Sequence, residues 1–366
     1  MQRYPYIDIL RGIAALLVVW YHVIEYGQWV TFSYEGLARL PRVGWLGVDL
    51  FLVISGFVIG KAALEAHAAT PDWRQSYVER RARRILPLYW ATLICYVALV
   101  NPEILRHGWS SAWHVISHLL FIHNATPSTS GSINGPNWSV ALEVQFYVLI
   151  AFATPWLART AWWRVLLVWV GIAIAWRYGT TWIWVPGQTD VNAQRVAATQ
   201  LPGTLDQFGC GVCLAKLALS GHLEFSRRRF ATALAIAVAA LTASWLIFWP
   251  RANYWYLPEM VVYWRTLLSA GLAALLACVV MIPGAPGVWS RPFRYLGEIS
   301  YGLYLWHLPV LLTLLDKTPW KGVRLLTVTF LLTTVLAALS WHGFEKLWMK
   351  PRKEGLARGL SPSTPQ

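Results

Sequence analysis

Residues 44–63 read GWLGVDLFLVISGFVIGKAA. Asp49 and Lys61 are the only charged side chains in this stretch, and Gly56 and Gly60 provide a small-residue face of the kind that packs membrane helices closely. An α-helix needs about 20 mostly apolar residues to cross the hydrocarbon core of a bilayer. The stretch therefore predicts a membrane-spanning helix.

Similar apolar segments recur along the whole chain. Together they lie at residues 7–28, 44–63, 85–101, 138–158, 162–177, 203–220, 230–249, 259–281, 296–316 and 322–345. The composition agrees, since 57% of the residues are hydrophobic and only 13% are charged, against roughly 25% charged in soluble domains. We predict an all-α, polytopic membrane bundle of about ten transmembrane helices. The apolar stretch 111–123 is too short to cross the bilayer and predicts a re-entrant or interfacial segment.

The distribution of basic residues predicts the orientation of the bundle. If the N-terminus is cytoplasmic, most of the 31 Lys and Arg residues fall in cytoplasmic loops. The positive-inside rule therefore predicts that both termini are cytoplasmic. It also explains the net charge of +14, so we predict a lipid bilayer as partner and no nucleic acid. We expect one transmembrane domain, residues 1–350, followed by a short polar tail, residues 351–366.

The first span contains an arginine and a histidine. An ionised side chain costs about 2.5–3.5 kcal/mol in the middle of a span, so such residues usually face the bundle interior. Arg11 and His22 are just over three turns apart and lie on nearly the same face, with Asp8 placed to pair with Arg11. His22 is a candidate general base because His titrates near neutral pH. The alternatives are an anchoring role for Arg11 and a structural role for His22.

Three further polar residues lie inside or at the edges of spans. Asp49 is near the outer end of the second span, where it either orients a base or lies at the interface. Glu143 is expected to face the bundle interior beside a cation, in a functional or a purely structural pair. For His307, in the ninth span, a hydrogen bond to a neighbouring helix is the favoured explanation.

Four arginines precede the third span: Arg80, Arg81, Arg83 and Arg84. Guanidinium groups bind phosphate oxygens through two parallel hydrogen bonds. The cluster therefore predicts either a site for a cytoplasmic phosphorylated cofactor or an anchor for anionic lipid. Cys210 and Cys213 have the spacing of a metal-binding pair, but no second pair of ligands accompanies them, so we predict no metal site.

These segments together resemble the acyltransferase-3 family of membrane acyltransferases, which includes bacterial polysaccharide O-acetyltransferases. The resemblance covers nearly the whole chain and rests on Asp8-x-x-Arg11-Gly12, Arg11-x10-His22, Gly47-Val48-Asp49-Leu50-Phe51 with Ser55-Gly56-Phe57, the arginine run before Pro87 and Tyr89, Asn137-Trp138-Ser139 with Glu143 and Phe146-Tyr147, and Ser300-Tyr301 through His307 and Pro309. Ala82 separates two arginine pairs. The family's Arg-x-x-Arg is therefore either Arg80 with Arg83 or Arg81 with Arg84.

The resemblance implies transfer of an acyl group, usually acetyl, from cytoplasmic acyl-CoA to a hydroxyl of an extracytoplasmic glycan or glycolipid. It implies that His22 deprotonates the acceptor or carries the acyl group briefly, and that Glu143 or Asp49 orients His22 or the acceptor. The residues implied to bind the CoA phosphates are Arg11, Arg80, Arg81, Arg83 and Arg84. The residues implied to contact substrate are Asn137, Trp138, Ser139, Tyr301 and His307.

The family also contains members with a fused hydrolase-like domain, and the resemblance here is to the stand-alone form in the bacterial inner membrane. Acetyl-CoA would be its co-substrate, and no metal would be needed. The alternative function is a proton-coupled transporter or flippase for a sugar or lipid, with Arg11, His22 and Glu143 as a proton relay. Transporters often contain paired repeats, and the sequence shows none.

Overall fold

The computed structural model describes residues 4–33, 35–106, 108–184, 190–251 and 254–349. Within these ranges all regular structure is helical, which confirms the predicted all-α class. The predicted polar tail, residues 351–366, lies outside the described residues.

The helices follow the apolar segments of the sequence. In chain order the α-helices of the described ranges are α1 Pro5–Tyr26, α2 Leu46–Ala69, α3 Trp73–Leu99, α4 Trp109–Leu119, α5 Asn137–Arg159, α6 Trp162–Gly179, α7 Val191–Ala198, α8 Leu205–Leu219, α9 Arg227–Phe248, α10 Arg265–Met281, α11 Arg291–Glu298, α12 Ser300–Lys317, α13 Gly322–Ser340 and α14 Lys346–Met349. Every one of the ten predicted segments contains a long helix, and α4 occupies the short stretch 111–123. A π-helical turn, Trp341–Glu345, joins α13 to α14.

Seven helices of the described residues are long and apolar enough to cross a membrane. They are Pro5–Tyr26, Leu46–Ala69, Asn137–Arg159, Trp162–Trp182, Arg227–Phe248, Met260–Met281 and Gly322–Met349. An eighth span results if α11 and α12, which are bent by 64° at their junction, are taken together. Of the remaining predicted spans, α3 contains the arginine cluster in its first half and α8 has 15 residues. The number ten therefore stays a prediction.

Helix α2 lies at the centre of the bundle and packs most extensively on α8. A Cβ atom added at Gly56 would lie 2.1 Å from the carbonyl oxygen of Phe208, and one added at Gly211 would lie 2.1 Å from that of Val53. Both glycines therefore permit backbone-to-backbone contact between the two helices. By contrast, α9 and α13 are on the periphery, and most of their surface is left for lipid.

One end of the bundle brings four helix ends together. The start of α1, the end of α2, the start of α3 and the segment around α14 all border one cavity. The alternation of basic loops predicts that these four ends face the cytoplasm. The fold thus collects the basic residues of separate loops at one place.

Candidate active site

A cavity of about 760 Å³ lies between α1, α2, α3, α5, α12 and the α13–α14 segment. Its volume is within the range of roughly 300–1,000 Å³ that small-molecule sites occupy. The polar side chains of its wall that bear on function include Arg11, Arg81, Arg84, Glu143, Tyr301 and Tyr304. The cavity therefore joins the arginines of the sequence motifs to the polar residues of α5 and α12.

The two arginine pairs of α3 face different surroundings. Arg81 and Arg84 are three residues apart, share one face of the helix, and line the cavity. Arg80 is exposed, and Arg83 forms an ion pair with Glu79. Of the two pairs that the sequence left open, Arg81 with Arg84 is the one directed at the cavity.

Contacts from the C-terminal helices hold Arg84 at the cavity wall. Its guanidinium is 3.8 Å from the carboxylate of Glu345, which is buried, and lies 4.9 Å from the ring of Trp341. In α1, Arg11 is 3.9 Å from Asp8, as its helical spacing predicts. Sequence reasoning missed Glu345 and Trp341, because nothing in their local pattern marks them as partners of a residue at the other end of the chain.

The far end of the cavity is closed by hydroxyl groups. Tyr304 donates a hydrogen bond from its hydroxyl to the carbonyl oxygen of Pro136 at 3.0 Å, and the Oγ atom of Ser139 is 2.7 Å from the same hydroxyl. Nearer the arginines, Tyr301 donates to the carbonyl oxygen of Ile85, the residue after Arg84, at 2.9 Å. Ser139 and Tyr301 thus line the cavity as protein-bonded groups.

The other predicted substrate residues of α5 lie just beyond that end. Asn137 is fully buried at the first turn of α5, and Trp138 is partly buried against the main apolar core. Neither is among the residues that line the cavity.

Glu143 lines the cavity one helical turn after Ser139 in α5. Its Oε1 atom accepts hydrogen bonds from the hydroxyl of Tyr147 at 2.6 Å and from that of Ser55 at 3.4 Å. Like Arg11, Glu143 lines the cavity in the bundle interior, which is where charged residues of membrane spans usually face. The carboxylate is therefore held by α2 and α5 rather than by a histidine.

Asp49 is part of a different buried network. Its carboxylate is 3.0 Å from the guanidinium of Arg265 in α10 and accepts a hydrogen bond from the side chain of Gln207 in α8. A second buried pair, Arg177 with Asp206 at 2.8 Å, lies across α6 and α8. Each partner offsets the desolvation of the other. Asp49 therefore connects α2 to α8 and α10.

The histidines of α1 and α12 are in direct contact. The Nε2 atom of His307 is 3.2 Å from the Nδ1 atom of His22, and the two ring centroids are 4.8 Å apart. His22 Nδ1 is also 2.9 Å from the carbonyl oxygen of Val18, and His307 Nδ1 is 2.6 Å from that of Tyr304. The resemblance implies that Glu143 or Asp49 orients His22 or the acceptor, whereas in the structure the side chain hydrogen-bonded to the ring of His22 is that of His307.

These distances assign the tautomer of each neutral ring. Carbonyl oxygens only accept hydrogen bonds, so the Nδ1 atoms of His22 and His307 both carry the proton. His307 Nε2 then presents a lone pair to the Nδ1–H of His22, which is shared between the carbonyl oxygen of Val18 at 2.9 Å and His307 at 3.2 Å. The remaining nitrogen of His22, Nε2, also has a lone pair, and no hydrogen bond to it is found among the described residues. That atom is free to accept a proton.

The cavity ends close to the histidine pair without reaching it. The ring of Tyr304 lines the cavity and lies 5.7 Å from the ring of His307, which in turn contacts His22. On the other side of His22, the ring of Tyr26 lies 5.9 Å away and its side chain is exposed. His22 is thus placed between the arginine-lined cavity and the opposite end of α1.

The connection between α3 and α5 folds into a compact, buried polar structure. The rings of His118 and His123 stack at 3.9 Å, and Gln145 of α5 donates to the carbonyl oxygen of Phe121 and to Asn124. Burial lowers the pKa of His118 to about 3 and that of His123 to about 4, so both rings are neutral near pH 7. The predicted re-entrant or interfacial segment is therefore fixed against the start of α5.

Comparison with known proteins identifies one family. The model of the family described as "Acyltransferase domain" matches residues 4–344. The peptidoglycan O-acetyltransferase OatA of Listeria monocytogenes is 25% identical over 93% of this chain and 55% of its own length. BcsY of Komagataeibacter xylinus is 30% identical over 83% of this chain and 72% of its own.

A further relative is named for exopolysaccharide production. The exopolysaccharide production protein ExoZ of Rhizobium meliloti is 27% identical over 72% of this chain and 76% of its own length. The chain spans little more than half of OatA. No solved structure matches the chain. In the described residues, no three His, Cys, Asp or Glu side chains are grouped so that they could hold a metal ion.

Proposed function

The chain belongs to the acyltransferase family that this domain defines, and from that premise we propose that it transfers an acetyl group from acetyl-CoA to a hydroxyl of a glycan or glycolipid. The observation that carries the proposal is the free Nε2 lone pair of His22, positioned beyond the end of an arginine-lined cavity. The names of the relatives, which include peptidoglycan O-acetyltransferase and exopolysaccharide production protein, support a glycan acceptor.

The donor would occupy the cavity. Arg81 and Arg84 from α3 and Arg11 from α1 would bind the phosphates of CoA through charge-assisted hydrogen bonds. The long pantetheine arm would extend along Glu143 toward Tyr304. Because the side chain of Tyr304 lies between the cavity and the histidines, the thioester would reach His22 only after that side chain moves.

The chemistry at His22 is general base catalysis. As the acceptor oxygen attacks the thioester carbonyl, Nε2 of His22 takes the hydroxyl proton. The carbon–sulfur bond then breaks, and the CoA thiolate leaves and takes up the proton from His22. Proton transfer of this kind contributes about 10²–10⁴-fold to rate, and alignment of the two substrates contributes further. A transient acyl group on His22 itself is the other form of the mechanism.

The membrane orientation is part of the proposal. The cavity wall contains basic residues that the positive-inside rule assigns to the cytoplasm, where CoA is available. The acceptor would then approach His22 from the opposite, extracytoplasmic side of the bacterial inner membrane.

The His22→Ala variant tests this function. The purified protein is reconstituted in lipid vesicles with acetyl-CoA and the alkali-deacetylated surface polysaccharide of the native cell, and O-acetyl groups are measured by NMR. We expect the wild-type protein to acetylate the polysaccharide and His22→Ala to lose about 10²–10⁴-fold of the rate, with acetyl-CoA binding retained.

The matched control is His222→Ala, in an exposed connection between α8 and α9, which we expect to keep full activity. Transfer at the wild-type rate by His22→Ala refutes the assignment of the base. A wild-type protein that binds no acetyl-CoA refutes the proposed function and favours a transporter.

A further inference from the structure

Helix α12 presents His307 to the candidate base in a fixed position. His307 is fully buried, and each of its ring nitrogens has a partner within the protein: Nδ1 faces the carbonyl oxygen of Tyr304 and Nε2 faces His22. A ring with both nitrogens engaged and no exposed surface has no free group for a substrate. The geometry agrees with the hydrogen bond to a neighbouring helix that the sequence analysis favours for His307, and it offers no group for the substrate contact that the resemblance implies.

A proline and an asparagine fix this part of α12. Pro309 has no N–H group, so the carbonyl oxygen of Leu305, four residues earlier, lacks its helical donor. The side chain of Asn134 donates to that oxygen at 3.1 Å. Because Asn134 is buried just before α5, this hydrogen bond holds α12 against the connection that precedes α5. His307, between Leu305 and Pro309, is thereby held in a fixed orientation.

We propose that His307 is a positioning residue for His22: its Nε2 lone pair accepts from the Nδ1–H of His22 beside the carbonyl oxygen of Val18, and so holds the ring with Nε2 of His22 pointing at the acceptor hydroxyl. The inference rests on the proposed function, and it assigns to an imidazole the place that a carboxylate has in a Ser-His-Asp triad. Glu143 and Asp49 are committed elsewhere, to Tyr147 and Ser55 and to Arg265 and Gln207 respectively.

The pair also has an electrostatic function. When His22 takes the acceptor proton it becomes positively charged, and its Nδ1–H becomes a stronger donor to the lone pair of His307. The positive charge forms in the transition state and is absent from the ground state. The hydrogen bond is therefore strongest when it lowers the barrier, so its loss reduces kcat more than it changes substrate binding.

Three variants of His307 separate these roles in the vesicle assay described above. His307→Gln places an amide oxygen near the former position of Nε2 and keeps an acceptor for His22. His307→Asn keeps a donor to the carbonyl of Tyr304 but has no group that reaches His22. His307→Leu removes both hydrogen bonds at similar volume.

We expect His307→Leu and His307→Asn to lower kcat by about 10- to 100-fold, the effect of one hydrogen bond to a charged group, with KM for acetyl-CoA and for the polysaccharide within about twofold of wild type. His307→Gln should recover most of kcat. Acetyl-CoA binding reports folding of each variant, and the Gln and Asn variants alone decide the question if His307→Leu fails to fold.

Two results overturn the inference while the proposed function stands. One is an increase in KM at unchanged kcat, which makes His307 a substrate contact. The other is equal activity of the folded Gln and Asn variants, which makes the acceptor group irrelevant. Absence of transfer by the wild-type protein, in contrast, refutes the proposed function itself.

Discussion

At the scale of single residues, the ambiguous positions are the arginines of α3. Four guanidinium groups within five residues look equivalent in the sequence. In a helix, however, their side chains point in different directions. Arg81 and Arg84 face the cavity, whereas Arg80 is exposed and Arg83 pairs with Glu79. The chain therefore contains its own matched control for phosphate binding.

We expect Arg81→Ala and Arg84→Ala each to weaken acetyl-CoA binding about 10- to 150-fold, since each removes a charge-assisted hydrogen bond to phosphate worth about 1.5–3 kcal/mol. Arg80→Ala should leave the Kd within about twofold. Isothermal titration of the purified protein with acetyl-CoA measures all three. If all three variants lose affinity to the same degree, the arginines act as a general positive field and not as a site.

Asp49 is a second residue whose role the sequence left open. Its sequence position allowed either a catalytic or an interfacial role, and in the structure it is buried in an ion pair with Arg265. Removing one partner of such a pair leaves an uncompensated charge and is strongly destabilising. Loss of activity on substitution of Asp49 would therefore follow from loss of folding.

At the scale of helices, the contact between α2 and α8 organises the bundle. Both helices use glycine at the crossing, so their backbones meet without intervening side chains. Helix α2 contributes Ser55 and Lys61 to the cavity wall and Asp49 to the buried ion pair. Its position therefore decides the shape of the site.

We expect Gly56→Ala to lower the midpoint of thermal unfolding, because the new methyl group would lie 2.1 Å from a backbone oxygen that has no freedom to move. Overpacking of this kind costs at least about 1–3 kcal/mol. Gly171→Ala is the control, since a Cβ atom there meets nothing within 4 Å, and it should leave the midpoint unchanged or slightly raised. Thermal unfolding in detergent compares the two, and equal destabilisation would contradict the close crossing.

At the scale of the whole molecule, the bundle has two distinct ends. One end contains the mouth of the cavity with Arg84 and Glu345, and the other includes α7 and the buried connection around His118 and His123. An acyl transfer across a membrane requires two different ends, because the donor and the acceptor are on opposite sides. The proposed orientation assigns the arginine end to the cytoplasm.

Two single-cysteine variants in a background without the four native cysteines test that orientation. Asn192 of α7 and His222 are both exposed and belong to opposite sides in the proposed topology. We expect a membrane-impermeant maleimide to label Asn192→Cys in intact spheroplasts and to label His222→Cys only after permeabilisation. The reverse pattern would invert the topology and place the arginines outside.

The sequence by itself determined the class of the molecule. A continuous run of about 20 apolar residues crosses a bilayer as a helix, because only a helix satisfies all of its backbone hydrogen bonds there, so the helices could be located from the apolar runs. Most of their ends fall close to the predicted positions, but α3 begins at Trp73, well before the predicted residue 85, and α2 continues to Ala69, past the predicted residue 63. The cost of an ionised group in the membrane likewise marked Arg11, His22 and Glu143 as residues with a function or a partner. The order of motifs led to the family that the domain match confirms.

Only the tertiary structure decided which of these residues meet. Hydrogen bonds and ion pairs depend on distances of about 3 Å between helices, and local sequence patterns do not encode which helices are neighbours or how they are rotated. The contact of His22 with His307, the attachment of Asp49 to Arg265 and the choice of Arg81 and Arg84 over Arg80 all arise from that packing. The chemical type of each residue can be read from the sequence, whereas the residues that it contacts depend on how the helices pack in the folded bundle.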